Sequence, residues 1–505
     1  MRCVIGIDVG TSGLKAVLCD ENGQVLATAS EKYPVEYPNP GWAEQDPEYW
    51  EKAFIRVVPV LLSKGKIKQD DVEGICLSSQ IDGVVLVDDN GNPISKAIIW
   101  MDRRATKEQT FIEERIGKRR LYSITGMVPD PAHPAAKILW LKNNYENIYK
   151  KAWKILQPND FMINYLTSEA VTDYSNASCT MLFDIRRKKW NDEICEELGI
   201  PIEKLPDIRP STSIAGNLRK EIAEKVNLRP GIPVVVGGGD EEIGAVGAGA
   251  IDEGTVLDII GTAEPVVMSV NEPKFDEMMV VECHCHGHPD KWLLENPGIL
   301  SGGIYSWLLE TFLEYERRLS ENEGRNPYEL MNSKAEKVNI GCDGLICLPY
   351  FMGTVVPEWN PDAKGAFVGI TPYHKKEHFI RAVIEGTGFA VRDTIERFSS
   401  IGIPGSSLIV AGGGSKGVIW RKIRADITGL ITKSPVIKDV TAYGAALIAL
   451  VGIGMYKTVE DVVKLIKYEA SIAPDPMSHE QYLELYKLYR ELYCCLKEKF
   501  SRIRV

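Results

Sequence analysis

Pro233 to Gly249 reads P-V-V-V-G-G-G-D-E-E-I-G-A-V-G-A-G, near the middle of a 505-residue chain. Val234, Val235 and Val236 form a β-branched run that suits a buried parallel strand. The three glycines that follow let the backbone turn sharply and approach a ligand. Asp240 then stands where a helix should begin, so a carboxylate is held at the end of a strand. In open α/β sheets, ligands bind at that place. The same residues also fit a plain glycine turn with Asp240 as helix N-cap, a position Asp fills well. The stretch alone leaves both readings open.

Outward from it, a chain of this length should divide into two or more domains. With 44% hydrophobic and 26% charged residues the composition is globular. The net charge of −11 argues against nonspecific nucleic-acid binding and against an anionic membrane surface. No run of about 18 apolar residues suggests a membrane span, and M-R-C-V-I-G-I-D reads as a strand instead of a signal peptide. The 11 cysteines are odd in number and show no framework, as expected of reduced thiols in the cytoplasm.

The N-terminus predicts a three-stranded meander: Cys3 to Val9, Leu14 to Cys19, and Val25 to Ser30 after an Asn22-Gly23 hairpin. Asp8 at a strand end, followed by Gly10-Thr11-Ser12-Gly13, places a carboxylate beside backbone N–H groups and two hydroxyls. That set suits a metal ion and a phosphate tail, although Gly-Thr-Ser-Gly is also an ordinary polar turn. The loop of Pro34 to Pro47 carries an exposed-looking Trp42, and a helix is expected from about Pro47 to Lys64. Two further strands deliver Ser79-Gln80-Ile81-Asp82-Gly83 and Trp100-Met101-Asp102-Arg103-Arg104. Carboxylates accept sugar hydroxyls and Arg offers a fork of donors, so the two clusters suggest one site for a polyhydroxylated ligand. Solvated turns with an Asp–Arg surface pair are the alternative.

Thr255 to Ile260, the turn Gly261-Thr262-Ala263-Glu264 and Pro265 to Val270 repeat the layout of the N-terminus, so the chain reads as two related halves. Cys283-His284-Cys285-His286 has the residue types of a metal site, but alternate residues of a strand face opposite ways. No second Cys/His pair follows about 12–20 residues on, so a core strand is expected. Trp307, Leu308 and Phe312 mark the apolar stripe of a helix opened by Ser301-Gly302-Gly303. Another helix is expected from Glu377 to Phe398, in which Gly386 and Gly388 point to close packing. Ser407 to Ala411 leads into Gly412-Gly413-Gly414-Ser415-Lys416-Gly417. This fits G-x-G-x-x-G without a clearly placed ribose acid, so a glycine turn near a nucleotide is preferred to a dinucleotide fold. No G-x-x-x-x-G-K-[ST] occurs. A small-residue helix from Thr441 is expected to pack near that turn, and His479 to Lys499 to form a surface helix.

Taken in order, Asp8-x-Gly-Thr-Ser, Trp100-x-Asp102-x-Arg104, Gly-Gly-Gly-Asp240, Gly261-Thr262, Pro349-Tyr350 with its Pro357 loop, and Ala411-Gly-Gly-Gly414 resemble the FGGY carbohydrate kinases from residue 3 to about 455. Cys285-x-x-His288-Pro-Asp-x-Trp292 and Trp420-Arg421-x-x-x-Ala425-Asp426 are similar to xylulokinase-like members. The resemblance implies an α/β fold of two ribonuclease-H-like domains of the actin and hexokinase superfamily with a cleft between them. Residues 1–250 would be the sugar-binding domain and 251–505 the nucleotide-binding domain. It further implies ATP and Mg²⁺, with Asp240 as the base and Asp8 and Asp240 at the metal. Thr11, Ser12, Lys15, Gly261, Thr262, Gly303, Gly413, Gly414 and Ser415 would meet the nucleotide. Asp82, Gly83, Asp102, Arg103, Asp240 and Glu241 would meet the sugar or polyol. The expected reaction is ATP-dependent phosphorylation of a ketose such as xylulose or a related pentulose. A polyol, gluconate or another sugar derivative is the alternative acceptor, and a non-catalytic nucleotide-gated binding protein the alternative of another class. A homodimer is possible. Ile81-Asp82-Gly83 departs from the usual Met-His-Gly, and Glu241 and Glu242 stand where Asn or Gln is common. Gly353-Thr354-Val355 likewise replaces a common Gly-Glu-Arg.

Overall fold

The computed structural model describes residues 2–503. Two six-stranded sheets organise it. In the first, β1 (Cys3–Val9), β2 (Gly13–Asp20) and β3 (Val25–Lys32) form the expected antiparallel meander. β1 then pairs in parallel with β4 (Val72–Ser79), and β4 with β6 (Pro233–Gly239), while β5 (Ile214–Asn217) closes the edge. The valine run of the opening stretch is wholly buried, as a strand covered on both faces requires.

The second sheet repeats the plan. β7 (Thr255–Ile259) pairs antiparallel with β8 (Glu264–Val270), which pairs with β10 (Trp292–Ile299), and β9 (Glu282–Cys285) lies at the edge. On its other side β7 runs parallel to β11 (Ser407–Ala411), and β11 to β12 (Thr432–Lys433). These are two ribonuclease-H-like α/β units, each with a meander followed by parallel strands.

Two helices join the units. α1 (Asp240–Ala248) follows β6, and α2 (Val440–Gly452) lies against it and against β1. A Cβ on Gly247 would collide with the Val440 carbonyl, and one on Gly444 with the Ile243 carbonyl. The small-residue helix therefore packs on α1 and the first sheet, and its first residue Val440 joins the cluster that holds Ala411, next to the 412–417 turn. Its alanines fit a backbone-to-backbone crossing that a bulkier face could not make.

Three other elements differ from expectation in their surroundings. The C-terminal helix (Pro476–Phe500) is no mere surface helix: Tyr482, Tyr486, Tyr489 and Tyr493 form a buried stripe on it. The helix Ser301–Phe312 buries Leu308 but leaves Phe312 exposed and Trp307 at the surface. Trp42 is half-buried, because the Arg104 guanidinium lies 3.6 Å from its ring centre. The expected close packing at Gly386 and Gly388 is present: a Cβ would lie 2.5 Å from the Cys347 carbonyl and 2.6 Å from Ile427 respectively. Among the described residues, no helix is long and apolar enough to cross a membrane.

Candidate active site

Strand register brings the acids of the first unit together. Asp8 stands opposite Lys15 on β2 and Ser78 on β4, and Gly238 and Gly239 stand opposite Ser78 and Ser79. The C-terminal ends of three parallel strands thus lie side by side, and Asp8, Asp82 and Asp240 all issue from that edge. Gly237 makes the approach possible, with φ +69° and no room for a Cβ beside the Leu77 carbonyl.

Asp240 is the first residue of α1, while Gly239 occupies the N-cap position with no side-chain cap. The capping role is therefore absent. The Asp240 carboxylate accepts from the Glu241 N–H at 3.2 Å. Burial, then the charges of Asp8 and Glu242, hold its pKa well above the ordinary value. Burial likewise moves Asp8 up from 3.8 to about 6, with Lys15 opposing and Asp439 adding. Lys15 donates to Asp439 at 3.0 Å, an exposed pair between residues 424 apart. Asp8 Oδ1 is buried without a hydrogen-bond partner. Two mutually repelling carboxylates with an open oxygen fit a hard cation such as Mg²⁺, which takes oxygen ligands.

Next to Asp8, Ser12 is exposed and Thr11 half-buried. The Thr11 hydroxyl donates to Gln80 at 3.3 Å and accepts from the Trp100 indole at 2.8 Å, which fixes the turn. In the second unit, parallel pairing of β7 with β11 sets the Gly261-Thr262 and Gly412–Gly414 turns side by side. Gly302 and Gly303 donate their N–H groups to the Gly261 and Thr262 carbonyls, seating a helix against the first turn. Ser415 is fully buried, and its hydroxyl donates to the Gly412 carbonyl, so it shapes the second. Gly261, Thr262, Gly413 and Gly414 line one cavity of about 540 Å³, together with Tyr305, Tyr328 and Trp420. That size falls within the range of small-molecule sites, about 300–1,000 Å³.

The side of Asp82 holds groups that the sequence reading missed. Asp82 has φ +60° and one carboxylate oxygen without a partner. Its other oxygen lies 3.1 Å from His133 Nδ1, and His133 Nε2 lies 3.3 Å from Glu282. Burial opposes charge on His133, but Asp82 and Glu282 outweigh it and raise its pKa well above the usual value. Lys137 is fully buried and donates to the Asp82 and Ile99 carbonyls at 2.6 and 2.8 Å. Burial lowers its pKa to about 8. Burial, and then Glu295, push the Glu241 carboxyl up.

The other expected sugar contacts are engaged elsewhere. Asp102 is fully buried, accepting from the Ala43 N–H at 2.6 Å and from Arg104 at 2.7 Å. The Asp–Arg pair is therefore an interior clamp, with Arg104 held between Trp42 and Trp140. Arg103 is exposed and pairs with Asp130 at the rim. Gly83 is buried, and a Cβ there would press on the Pro158 ring. His133, Glu282 and Glu295 carried no motif in the sequence, and Lys137 reads there as one more helix charge.

Residues 3–247 match the FGGY family of carbohydrate kinases, N-terminal domain, and residues 258–453 its C-terminal domain. A xylulose kinase of Lactococcus lactis subsp. lactis is 33% identical over 500 residues, covering 98% of this chain and 97% of that protein. A gluconokinase of Bacillus subtilis is 29% identical over 502 residues, covering 99% and 97%. The crystal structure of a ligand-bound xylulose kinase from Lactobacillus acidophilus matches with a TM-score of 0.90 at 26% identity, covering 100% of both chains.

Proposed function

The chain belongs to the FGGY family of carbohydrate kinases, and from that premise we propose that it transfers the γ-phosphoryl group of ATP to a hydroxyl of a neutral ketose, a pentulose such as xylulose. The observation that carries this reading is the meeting of Asp8, Asp240 and Lys15 at one strand edge, where Asp8 raises Asp240, Lys15 opposes the rise of Asp8, and both acids raise Lys15. Asp240 takes the proton of the sugar hydroxyl. Its raised pKa makes it a better base than an exposed carboxylate, and in a loose transition state the proton leaves late. Asp8 and Asp240 hold Mg²⁺, which when bound neutralises phosphate charge. Thr11, Ser12 and Lys15 face the γ-phosphate. Gly261, Thr262 and Gly303 orient the phosphates from the second unit, while Gly413, Gly414 and the turn held by Ser415 take the adenosine. Two units meeting over the reactants keep water out of the transfer.

The sugar side is acidic, with Asp82, Glu241, Glu242, Glu282 and Glu295 around His133 and His284. Carboxylates accept hydroxyls and repel an aldonate, so a neutral ketose or polyol is favoured over gluconate. The cysteines of this chain are all free and mostly buried, which suits work in the reducing cytoplasm.

A coupled ADP-release assay over pentuloses, hexuloses, polyols and aldonates tests the proposal. Pentuloses should stimulate turnover most. ATP hydrolysis that no sugar stimulates would sink it. Asp240→Asn should lower kcat by roughly 10²–10⁴-fold, the usual share of general-base catalysis, and a variant with full sugar-dependent turnover removes Asp240 from that role.

A further inference from the structure

Cys179, Glu242 and His284 come from three separate elements and meet in the interior between the two units. Cys179 follows the short helix Tyr174–Ser178, Glu242 lies in the first turn of α1, and His284 is on β9. Their donor atoms are mutually close: Cys179 Sγ to His284 Nδ1 is 3.1 Å, His284 Nδ1 to Glu242 Oε1 is 3.3 Å, and Cys179 Sγ to Glu242 Oε1 is 3.8 Å. Tetrahedral zinc, with Zn–S near 2.3 Å and Zn–N and Zn–O near 2.0–2.1 Å, separates its donors by about 3.3–3.6 Å. The trio stands within about half an ångström of that spacing before any ion draws it in.

We propose that these three side chains form a zinc site in the interior between the two units, beside the acidic cluster of the sugar side. Thiolate, imidazole and carboxylate are the donors zinc takes, and three protein ligands leave one coordination position for an outside oxygen. The surroundings fit a ligand histidine. His284 presents Nδ1 to the trio, and its Nε2 lies 3.1 Å from Glu295 and 3.6 Å from Glu282 with no hydrogen bond formed, beside carboxylates of the kind that partner metal-bound histidines. The Cys179 side is anchored as well, since the Cys285 N–H donates to Ser178 Oγ at 3.0 Å and ties that segment to β9.

Glu242 supplies an independent sign. The residue is 0% exposed, and its Oε2 has no hydrogen-bond partner. Its carboxylate tucks under the end of β6 into space that a Cβ on Gly239 would fill. A buried, half-satisfied carboxylate is costly, and Asp240 and Glu241 beside it add like charge. Cys and Glu donors together bring two negative charges, which a divalent ion offsets. Cys283 takes no part. It lies on the other face of β9, as alternation requires.

The test uses the full chain, purified, stripped with chelator and titrated with Co²⁺ alone. The expected result is a thiolate-to-cobalt charge-transfer band that saturates at one ion per chain and disappears in Cys179→Ser. Zinc content of the protein as purified should be stoichiometric. Glu295→Gln, which keeps all three ligands, should weaken affinity by about 10–100-fold, the usual effect of losing such a partner. Absence of the band in the intact chain overturns the proposal, as does a band that survives in Cys179→Ser. Because the intact chain decides, a misfolding variant leaves the test conclusive. Metal content is read without turnover, so the kinase reading stands or falls separately.

Discussion

Replacing Asp8 by Asn should make the protein more stable and less active, and the size of the first effect follows from the structure. Asp8 is 8% exposed, and burial is the main reason its pKa stands at about 6 in place of 3.8. A difference of about 2.2 units at 1.36 kcal/mol each is about 3 kcal/mol. The sign is fixed by proton counting. Between pH 3.8 and about 6 the native state holds the Asp8 proton more tightly than the unfolded chain does, so stability falls as pH rises through that window and stays down above it. Asn carries no such loss. At pH 8 the variant should be more stable by up to about 3 kcal/mol, and at pH 4 the difference should vanish.

For domains of this size, 1 kcal/mol moves Tm by roughly 2–4 °C, so a rise of up to about 6–12 °C is expected at pH 8. The gain has a second source of the same sign, since the Asp8 charge also raises Asp240. Thermal unfolding at pH 4.5, 6 and 8, with sugar-dependent ADP release on the same samples, makes the comparison. A variant less stable than wild type at pH 8, or one with the same offset at pH 4.5 and 8, refutes the reasoning. A stable variant with full activity removes Asp8 from the metal site.

Arg424→Met should cost roughly 3–5 kcal/mol, because the guanidinium donates to Asp258 at 3.0 Å and to Glu264, all three side chains being fully buried, and its loss leaves two unpaired carboxylates; urea unfolding measures this, and a change below about 1 kcal/mol contradicts it. His133→Gln should flatten the alkaline limb of the stability profile. The wild-type imidazolium stabilises fully below its unfolded pKa of 6.5 and loses that contribution as pH rises through its higher folded value. The same variant should raise the sugar KM if Asp82 is positioned through it, and an unchanged profile and KM argue against the bridge. Gly247→Val should lower Tm and kcat together, since a side chain there collides with the Val440 carbonyl; overpacking of this kind costs about 1–3 kcal/mol, and a Tm equal to wild type denies the tight crossing.

The strand–turn framework was legible because β-branched runs and glycine turns are local signals. Asp8, Asp240, Gly261 and Gly413 stand out by those signals. The sugar side was not, because its members are joined only by the fold. His133 sits in a Pro-rich stretch that reads as loop. Lys137 has the look of a solvated helix charge, yet it donates to two buried carbonyls. His284 was weighed only against neighbours on its own strand, while its thiol partner lies 105 residues upstream. Tyr482, Tyr486, Tyr489 and Tyr493 follow helical spacing, but among so many charges the stripe passed for a surface. The Asp102–Arg104 pair was visible as residue types, and only the packing of Trp42 and Trp140 makes it interior.

Several buried acids of this protein are met by a guanidinium and others are not, and the difference bears on which of them act. Asp102 has Arg104, Glu385 has Arg381, Asp258 and Glu264 share Arg424, and Asp393 has Arg490. Each is an acid whose desolvation is met by a guanidinium, which holds structure. Asp8 is buried and Asp240 and Glu241 are half-buried, and desolvation shifts all three upward, as it does Asp258, Glu385 and Asp393. Among the described residues none of the three forms an ion pair with an arginine. Asp8 and Asp240 at one strand edge, with Glu241 beside them, carry a desolvation that no arginine offsets, at a cost that the Asp8 value places near 3 kcal/mol for one residue. Unpaired buried charge persists where a ligand completes it. A phosphate-bound cation facing Asp8 and Asp240, and a hydroxyl-rich neutral sugar facing Glu241 and Asp82, supply what arginine supplies elsewhere. An aldonate would bring a further negative charge to the side that already holds too many.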